Sequence, residues 1–239
     1  MTQLQIGLLA FPRMTQLDMT GPFEVFARIP NAAVHLVWKR IEPVTSDTGL
    51  TVIPNTTCAD CPQLDVICVP GGPGQIDLME DREIIDFVGR QGERARYVTS
   101  VCTGALVLGA AGLLRGYRAA THWASMDNLE HFGAIPTRTR VCIDRNRITG
   151  GGVTAGIDVG LVVAKELTDR ATAERIQLGM EYDPQPPFAA GSPDTAPAEA
   201  LAAYREMARP MLTRRKEVTL RVAGDRAGPA GKSSRASSA

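Results

Sequence analysis

The side chain best placed to do chemistry is Cys102, near the end of Tyr97-Val98-Thr99-Ser100-Val101-Cys102-Thr103-Gly104-Ala105-Leu106. An apolar, β-branched run reaches one cysteine and passes at once into small residues and an amphipathic stretch, Val107 to Leu114. That pattern predicts strand, sharp turn and helix, with the thiol displayed on a strained turn like the nucleophile elbow of α/β hydrolases. Free N–H groups at the start of the following helix would favour thiolate over thiol. The competing reading is plain burial between strand and helix, the usual fate of a free cysteine. Position alone weighs the two equally.

Two other stretches offer complementary groups. Leu17-Asp18-Met19-Thr20-Gly21-Pro22 brings the Asp18 carboxyl, suited to proton transfer, although an aspartate ahead of a helix is more often a cap. Pro70-Gly71-Gly72-Pro73-Gly74 brings backbone N–H groups unshielded by side chains. The N–H groups of Gly71 and Gly72 could join that of Thr103 in an oxyanion-hole-like pocket, and a tight turn is the plainer role for both glycines. His122, after Ala119-Ala120-Thr121, could line the same pocket or serve as a structural histidine bonded to backbone.

These groups need a scaffold that brings them together. Leu4–Ala10 and Val34–Trp38 read as strands, and Leu64–Val69, apolar except for Asp65, reads as a strand buried on both faces of a parallel sheet. Thr20 with Pro22 marks a helix start, and Arg82–Arg90 is a helix with Ile84, Ile85, Phe87 and Val88 inward. Trp123–Phe132, Val153–Leu167 and Asp169–Met180 are further helices, and a hairpin turns around Asp144-Arg145-Asn146. Strands alternating with helices predict an α/β fold, a parallel sheet covered on both sides. Ligands in such sheets bind beyond the carboxyl ends of the strands, so the loops Phe11–Thr20, Pro70–Gly74 and Cys102–Gly104 should converge.

The predicted organisation is a catalytic domain over 1–193, a helical extension over 194–222 and a disordered tail over 223–239. Within the extension, a helix from about Ala198 to Ala208 precedes a basic segment, Arg214–Arg221, whose Arg214-Arg215-Lys216 run reads as a solvated helix face. With 26 basic and 26 acidic residues the chain has no electrostatic pull toward nucleic acid or an anionic membrane. No apolar run approaches the roughly 20 residues of a bilayer span. Five cysteines do not form a disulfide framework, so a reducing cytoplasm is the expected setting. Cys58-Ala59-Asp60-Cys61 has half a zinc site's spacing without a second pair, and no metal is expected there. Cys68 and Cys142 read as packing, and neither His35 nor His131 attracts a role.

Taken together, Ser100-Val101-Cys102-Thr103-Gly104-Ala105, Asp65-Val66-Ile67-Cys68-Val69-Pro70-Gly71-Gly72 and Ala120-Thr121-His122-Trp123 resemble the ThiJ/PfpI superfamily, from about Leu4 to Pro193. The resemblance implies a flavodoxin-like fold. Within that superfamily, Leu17–Pro22 and Gly191-Ser192-Pro193-Asp194-Thr195-Ala196-Pro197 most resemble the bacterial isonitrile (isocyanide) hydratases. Many superfamily members place a glutamate opposite the cysteine, where this chain has Asp18. Another branch has histidine after the cysteine, where this chain has Thr103, which argues against a peptidase. The resemblance implies a cofactor-independent hydratase, with Cys102 as nucleophile, Asp18 as general acid/base, Thr103 assisting and an isonitrile as substrate. It also implies a homodimer. Two alternatives stay open: a redox-sensing or protective protein using the same thiol, and a ligand-binding relative of AraC-type regulators lacking the DNA-binding module.

Overall fold

The computed structural model describes residues 3–227. β1 (Leu4–Leu9) lies at the heart of the sheet, with Ile6, Leu8 and Leu9 buried. From it α1 (Gln16–Phe26) leads to β2 (Ala32–Trp38), parallel to β1. A small antiparallel pair, β3 (Val44–Thr45) and β4 (Thr51–Val52), precedes β5 (Thr56–Thr57), which adds to β2 at the sheet edge. The chain then crosses to the other side of β1 and enters β6 (Val66–Val69), all four residues of which are buried. That is the burial pattern expected of an apolar strand covered on both faces.

From β6 the chain runs through α2 (Gln75–Leu78) and α3 (Arg82–Arg94) to β7 (Tyr97–Ser100) and α4 (Gly104–Ala110). Ile84, Phe87 and Val88 form the inward side of α3, and Asp81 caps it by accepting from the Ile84 N–H. Next come β8 (Arg118–Ala119), α5 (Asn128–His131) and β9 (Ile135–Pro136), the two strands forming a short parallel pair. β10 (Val141–Asp144) and β11 (Arg147–Gly150) form the expected hairpin, then α6 (Ala155–Leu167), α7 (Arg170–Gly179) and α8 (Ala198–Ala227) finish the described chain. The main sheet has seven strands in the order β10-β11-β7-β6-β1-β2-β5, parallel except at the β10 edge. The order reverses at β1, so a crevice opens beyond the carboxyl ends of β1 and β6. The three loops singled out above lead from β1, β6 and β7, three adjacent strands.

Three local expectations change. α1 starts at Gln16, a turn earlier than Thr20 and Pro22 suggest, so Asp18 sits in its first turn and Pro22 inside it. The stretch from Trp123 to Phe132 splits into a 3₁₀ turn, Trp123–Ser125, and the short α5. The largest change concerns α8, which runs through Pro210 as a single helix of 30 residues. A proline inside a helix costs about 3 kcal/mol. Packing of α8 on α2, α4 and α5, with Ala208, Arg215, Val218 and Thr219 buried, offsets that cost. The tail expected to be disordered from Ala223 is therefore helical as far as Ala227, and 228–239 lie outside the described residues.

α1 is positioned by α6, and small residues set the spacing between them. A Cβ on Gly156 would lie 2.9 Å from Pro22 Cδ, and one on Gly160 would lie 2.9 Å from Val25 Cβ. Alanine at Gly160 would mix this clash with a gain in helix propensity, so valine is the cleaner probe. Gly160→Val is expected to lower unfolding stability by roughly 2–3 kcal/mol in a denaturant titration, from overpacking against α1. An unchanged midpoint would contradict the close helix contact.

Candidate active site

Cys102 has φ of 55°, a conformation strained for a side chain larger than glycine. The turn is closed by the Gly104 N–H donating to the Val101 carbonyl at 3.0 Å and by the Thr121 hydroxyl donating to the Cys102 carbonyl at 2.8 Å. Gly104 is obligatory here, because its Cβ would sit 1.9 Å from the Val69 carbonyl oxygen of the neighbouring strand. The strained elbow read from the sequence is thus present, held by β6 on one side and Thr121 on the other.

Asp18 and Cys102 come together across the switch point, the carboxyl lying against the thiol. Asp18 is completely buried. Its Oδ2 accepts from the Gly71 N–H at 2.9 Å, and its Oδ1 has no partner. Burial is the main influence and raises the carboxyl pKa to about 7, against the opposing pull of the Gly71 N–H and the thiol. Such a group can both take and return a proton at neutral pH. Cys102 also moves upward, well above an ordinary thiol, first because of burial and then because Asp18 is nearby. The Thr103 N–H and Arg215 oppose that rise. Helix-terminal N–H groups predict a thiolate, but desolvation outweighs them, so the resting group is a thiol.

The paired glycines do something other than the sequence suggests. The Gly71 N–H is committed to Asp18, and the Gly72 N–H donates to Thr103 Oγ1 at 3.1 Å. Neither is free for an oxyanion, so their place as substrate-binding donors is corrected to one of holding Asp18 and Thr103. Their lack of side chains serves close approach of loops. A Cβ on Gly71 would meet Thr103 N at 2.5 Å and Asp18 Oδ2 at 2.9 Å, and one on Gly72 would meet Thr15 N at 2.3 Å. The Thr15 N–H also donates to the Gly71 carbonyl, and the Gly74 N–H to that of Arg13, which laces the β1 and β6 loops together.

His122 stands at the side of the site. Its Nδ1 accepts from the Ala124 N–H at 3.3 Å, the structural arrangement considered above. Burial, aided by Arg215, lowers its pKa to about 4, so it is neutral near pH 7 and no proton carrier. Its ring packs near Tyr204, 6.2 Å between centroids, and Tyr204 in turn near Trp123, at 5.3 Å. Tyr204, Trp123 and the arm from Ala190 to Pro193 enclose an apolar cleft of about 240 Å³. Larger clefts along Cys58–Gln91 and between α3 and the end of α8 contain none of the site residues.

Sequence reasoning missed what α8 contributes. Arg215, expected on a solvated face, is 2 % exposed and donates to Gln75 Oε1 at 3.0 Å and to Ser125 Oγ at 3.2 Å. Its neighbours Arg214 and Arg221 bind Asp77 and Glu80 at the surface. A signal was present: Ala208, Met211, Arg215, Val218 and Val222 recur at helical spacing, which places an arginine in an apolar stripe. Cys58 and Cys61 are half-buried thiols pushed up to about 11 and about 12 by burial first. Among the described residues no group of three His, Cys, Asp or Glu side chains could hold a metal ion.

Asp18 also carries a stability consequence. Its folded pKa lies above its unfolded one, so the proton it keeps favours the folded state at low pH, and that contribution fades as pH rises from about 4 through about 7. Above that window the fold contains a buried carboxylate. Asp18→Asn keeps an acceptor for Gly71 and removes the charge, so it is expected to be more stable than wild type at pH 8. The difference should have an upper limit of roughly 4 kcal/mol and should close toward pH 4, as read by thermal or chemical unfolding. A difference independent of pH would contradict the raised carboxyl.

Comparison with known proteins fits this architecture. Residues 5–166 match the DJ-1/PfpI family model. Over 220 residues the chain is 58 % identical to the isonitrile hydratase of Pseudomonas putida, covering 92 % of this chain and 96 % of that one. It is 37 % identical over 120 residues to the HTH-type transcriptional regulator GbdR of Pseudomonas aeruginosa, covering 49 % of this chain and 32 % of the regulator. A crystal structure of a THiJ/PfpI family protein from Pseudomonas syringae superposes with a TM-score of 0.89 at 47 % identity, covering 92 % of this chain and 91 % of that one. Elbow, paired-glycine loop and parallel sheet all lie within the matched stretch, and the chain belongs to the DJ-1/PfpI family.

Proposed function

We propose that the protein hydrates isonitriles, R–NC, to N-substituted formamides. The observation that carries this reading is the buried Asp18–Cys102 pair, in which a carboxyl with a pKa of about 7 lies against a protonated thiol. The isonitrile hydratase of Pseudomonas putida, at 58 % identity over nearly all of both chains, supports the same chemistry. In the first step Asp18 takes the thiol proton as sulfur bonds to the terminal carbon, and the carbon then takes that proton back. The result is a thioimidate, Cys102–S–CH=N–R, with Asp18 ionised again. Asp18 next removes a proton from water as its oxygen adds to the same carbon, and passes that proton to the nitrogen. As the carbon–sulfur bond breaks, the hydroxyl of the intermediate gives its proton through Asp18 to the leaving sulfur, and R–NH–CHO departs.

No residue in this scheme needs a metal or organic cofactor. Thr103 is fixed beside the nucleophile by the Gly72 N–H, and its own N–H faces the sulfur. The redox-sensing alternative fits less well, because oxidation follows thiolate character and exposure, and Cys102 is a protonated thiol only 6 % exposed.

Formation of the formamide from an aryl isonitrile by purified protein is the test. Cys102→Ala is expected to lose about 10³-fold or more in kcat, and Asp18→Asn about 10²-fold or more. Asp18 must be ionised to accept the thiol proton, so kcat/KM should rise with pH along a limb centred near 7. Undiminished turnover in Cys102→Ala would sink the assignment. A cytoplasmic homodimer belongs to the same proposal, and sedimentation should then report about twice the chain mass of 25.6 kDa.

A further inference from the structure

Arg215 is a permanent cation in a place that supplies no fixed anion. Its three hydrogen-bond acceptors, Gln75 Oε1, Ser125 Oγ and Met211 Sδ, are all neutral. No carboxylate among the described residues lies within 4.0 Å of it, whereas Arg214 and Arg221 on the same helix have Asp77 and Glu80. A guanidinium keeps its proton in a folded protein, and a buried charge without a partner is strongly unfavourable. An anion formed nearby would relieve that cost.

The titratable neighbours narrow the choice. Arg215 holds Ser125, on the turn just after Thr121, whose hydroxyl donates to the Cys102 carbonyl, and Cys102 and Tyr204 are the groups whose charge acts on it. Tyr204 is itself pushed upward by burial and stays neutral, and His122, which feels Arg215, is neutral as well. From the other side of the thiol come Asp18 on α1, which also feels Asp47 and acts on Cys68 of β6, and the Thr103 N–H. Asp18 and Cys102 together hold one proton that is easily lost, and hence one negative charge.

We propose that Arg215 is the counter-cation of the Cys102–Asp18 pair, holding the shared negative charge on sulfur when Asp18 takes the thiol proton. The transfer is Cys102–SH plus Asp18–COO⁻ going to Cys102–S⁻ plus Asp18–COOH. Net charge is unchanged, and the anion moves from the carboxylate to the atom that Arg215 acts on. Arg215 works through Cys102 and is a positioning residue. It lies on α8, beyond the stretch matched by the family model, so the counter-charge is an addition made by the C-terminal extension. Gln75 ties it to the glycine loop, since α2 follows that loop directly.

The inference rests on Cys102 as nucleophile and is independent of the substrate. The test is the rate of Cys102 alkylation by iodoacetamide against pH, read on the Cys102 peptide by mass spectrometry in the full-length protein. Arg215→Met is expected to move the midpoint up by about one pH unit or more, as loss of a nearby opposite charge should. Arg215→Lys, which keeps the charge, should recover at least about half of that shift. Arg215→Gln replaces the methionine variant if the latter does not fold. A folded neutral variant whose profile superimposes on wild type overturns the proposal, and so does a lysine variant shifted as far as the neutral one. Should neither neutral variant fold, the lysine variant decides alone: a midpoint within about half a unit of wild type supports the proposal, and a larger shift overturns it. Alkylation needs no isonitrile, so a failed hydratase assay leaves this result standing.

Discussion

A single hydrogen bond, from the Gly71 N–H to Asp18 Oδ2, holds a fully buried carboxyl at the edge of the sheet. With water excluded and one oxygen unpartnered, that carboxyl has its proton affinity raised into the neutral range. The bond joins the first turn of α1, which follows β1, to the loop that leaves β6, so it exists only where β1 and β6 lie side by side in parallel. It also requires a residue without a side chain at position 71, because a Cβ there would press on both Asp18 and Thr103. Sheet order, loop lacing and the approach of α6 to α1 all act on chemistry through this one contact.

Cys102, the proposed nucleophile, depends on the same geometry from the opposite direction. The φ of 55° at Cys102 is maintained by turn closure and by Gly104 packed on the Val69 carbonyl. Burial then suppresses the thiolate, which makes the cysteine inert until a base reaches it. In the proposed mechanism Asp18 fills that role at close quarters, and its raised pKa suits it to the task. A more exposed carboxylate would be too weak a base, and a more exposed thiol would be open to oxidation.

Much of this was legible in the residues. β6 announced itself as an unbroken apolar run, and the elbow as a strand meeting cysteine, threonine and glycine. A parallel sheet with a switch point predicts Asp18, the glycines and Cys102 at one edge, and they lie together there. The role of the glycine N–H groups was not legible, because partner choice among donors a few ångströms apart is decided by tertiary contacts. The direction of the cysteine shift is hidden for a related reason: a helix terminus is visible in sequence, whereas desolvation is a property of everything packed around the thiol. α8 was hardest to read. Pro210 and a run of arginines argue locally for a broken, solvated segment, and only docking against α2 and α4 buries Arg215.

The account depends most on Asp18 holding a proton near neutrality, and infrared spectroscopy reads that directly. A difference titration between wild type and Asp18→Asn isolates the carbonyl stretch of one protonated carboxyl. The expected result is a band present at pH 6 that disappears with a midpoint near 7, the value set by burial. A band that vanishes near pH 4, where an ordinary aspartate titrates, would contradict the account.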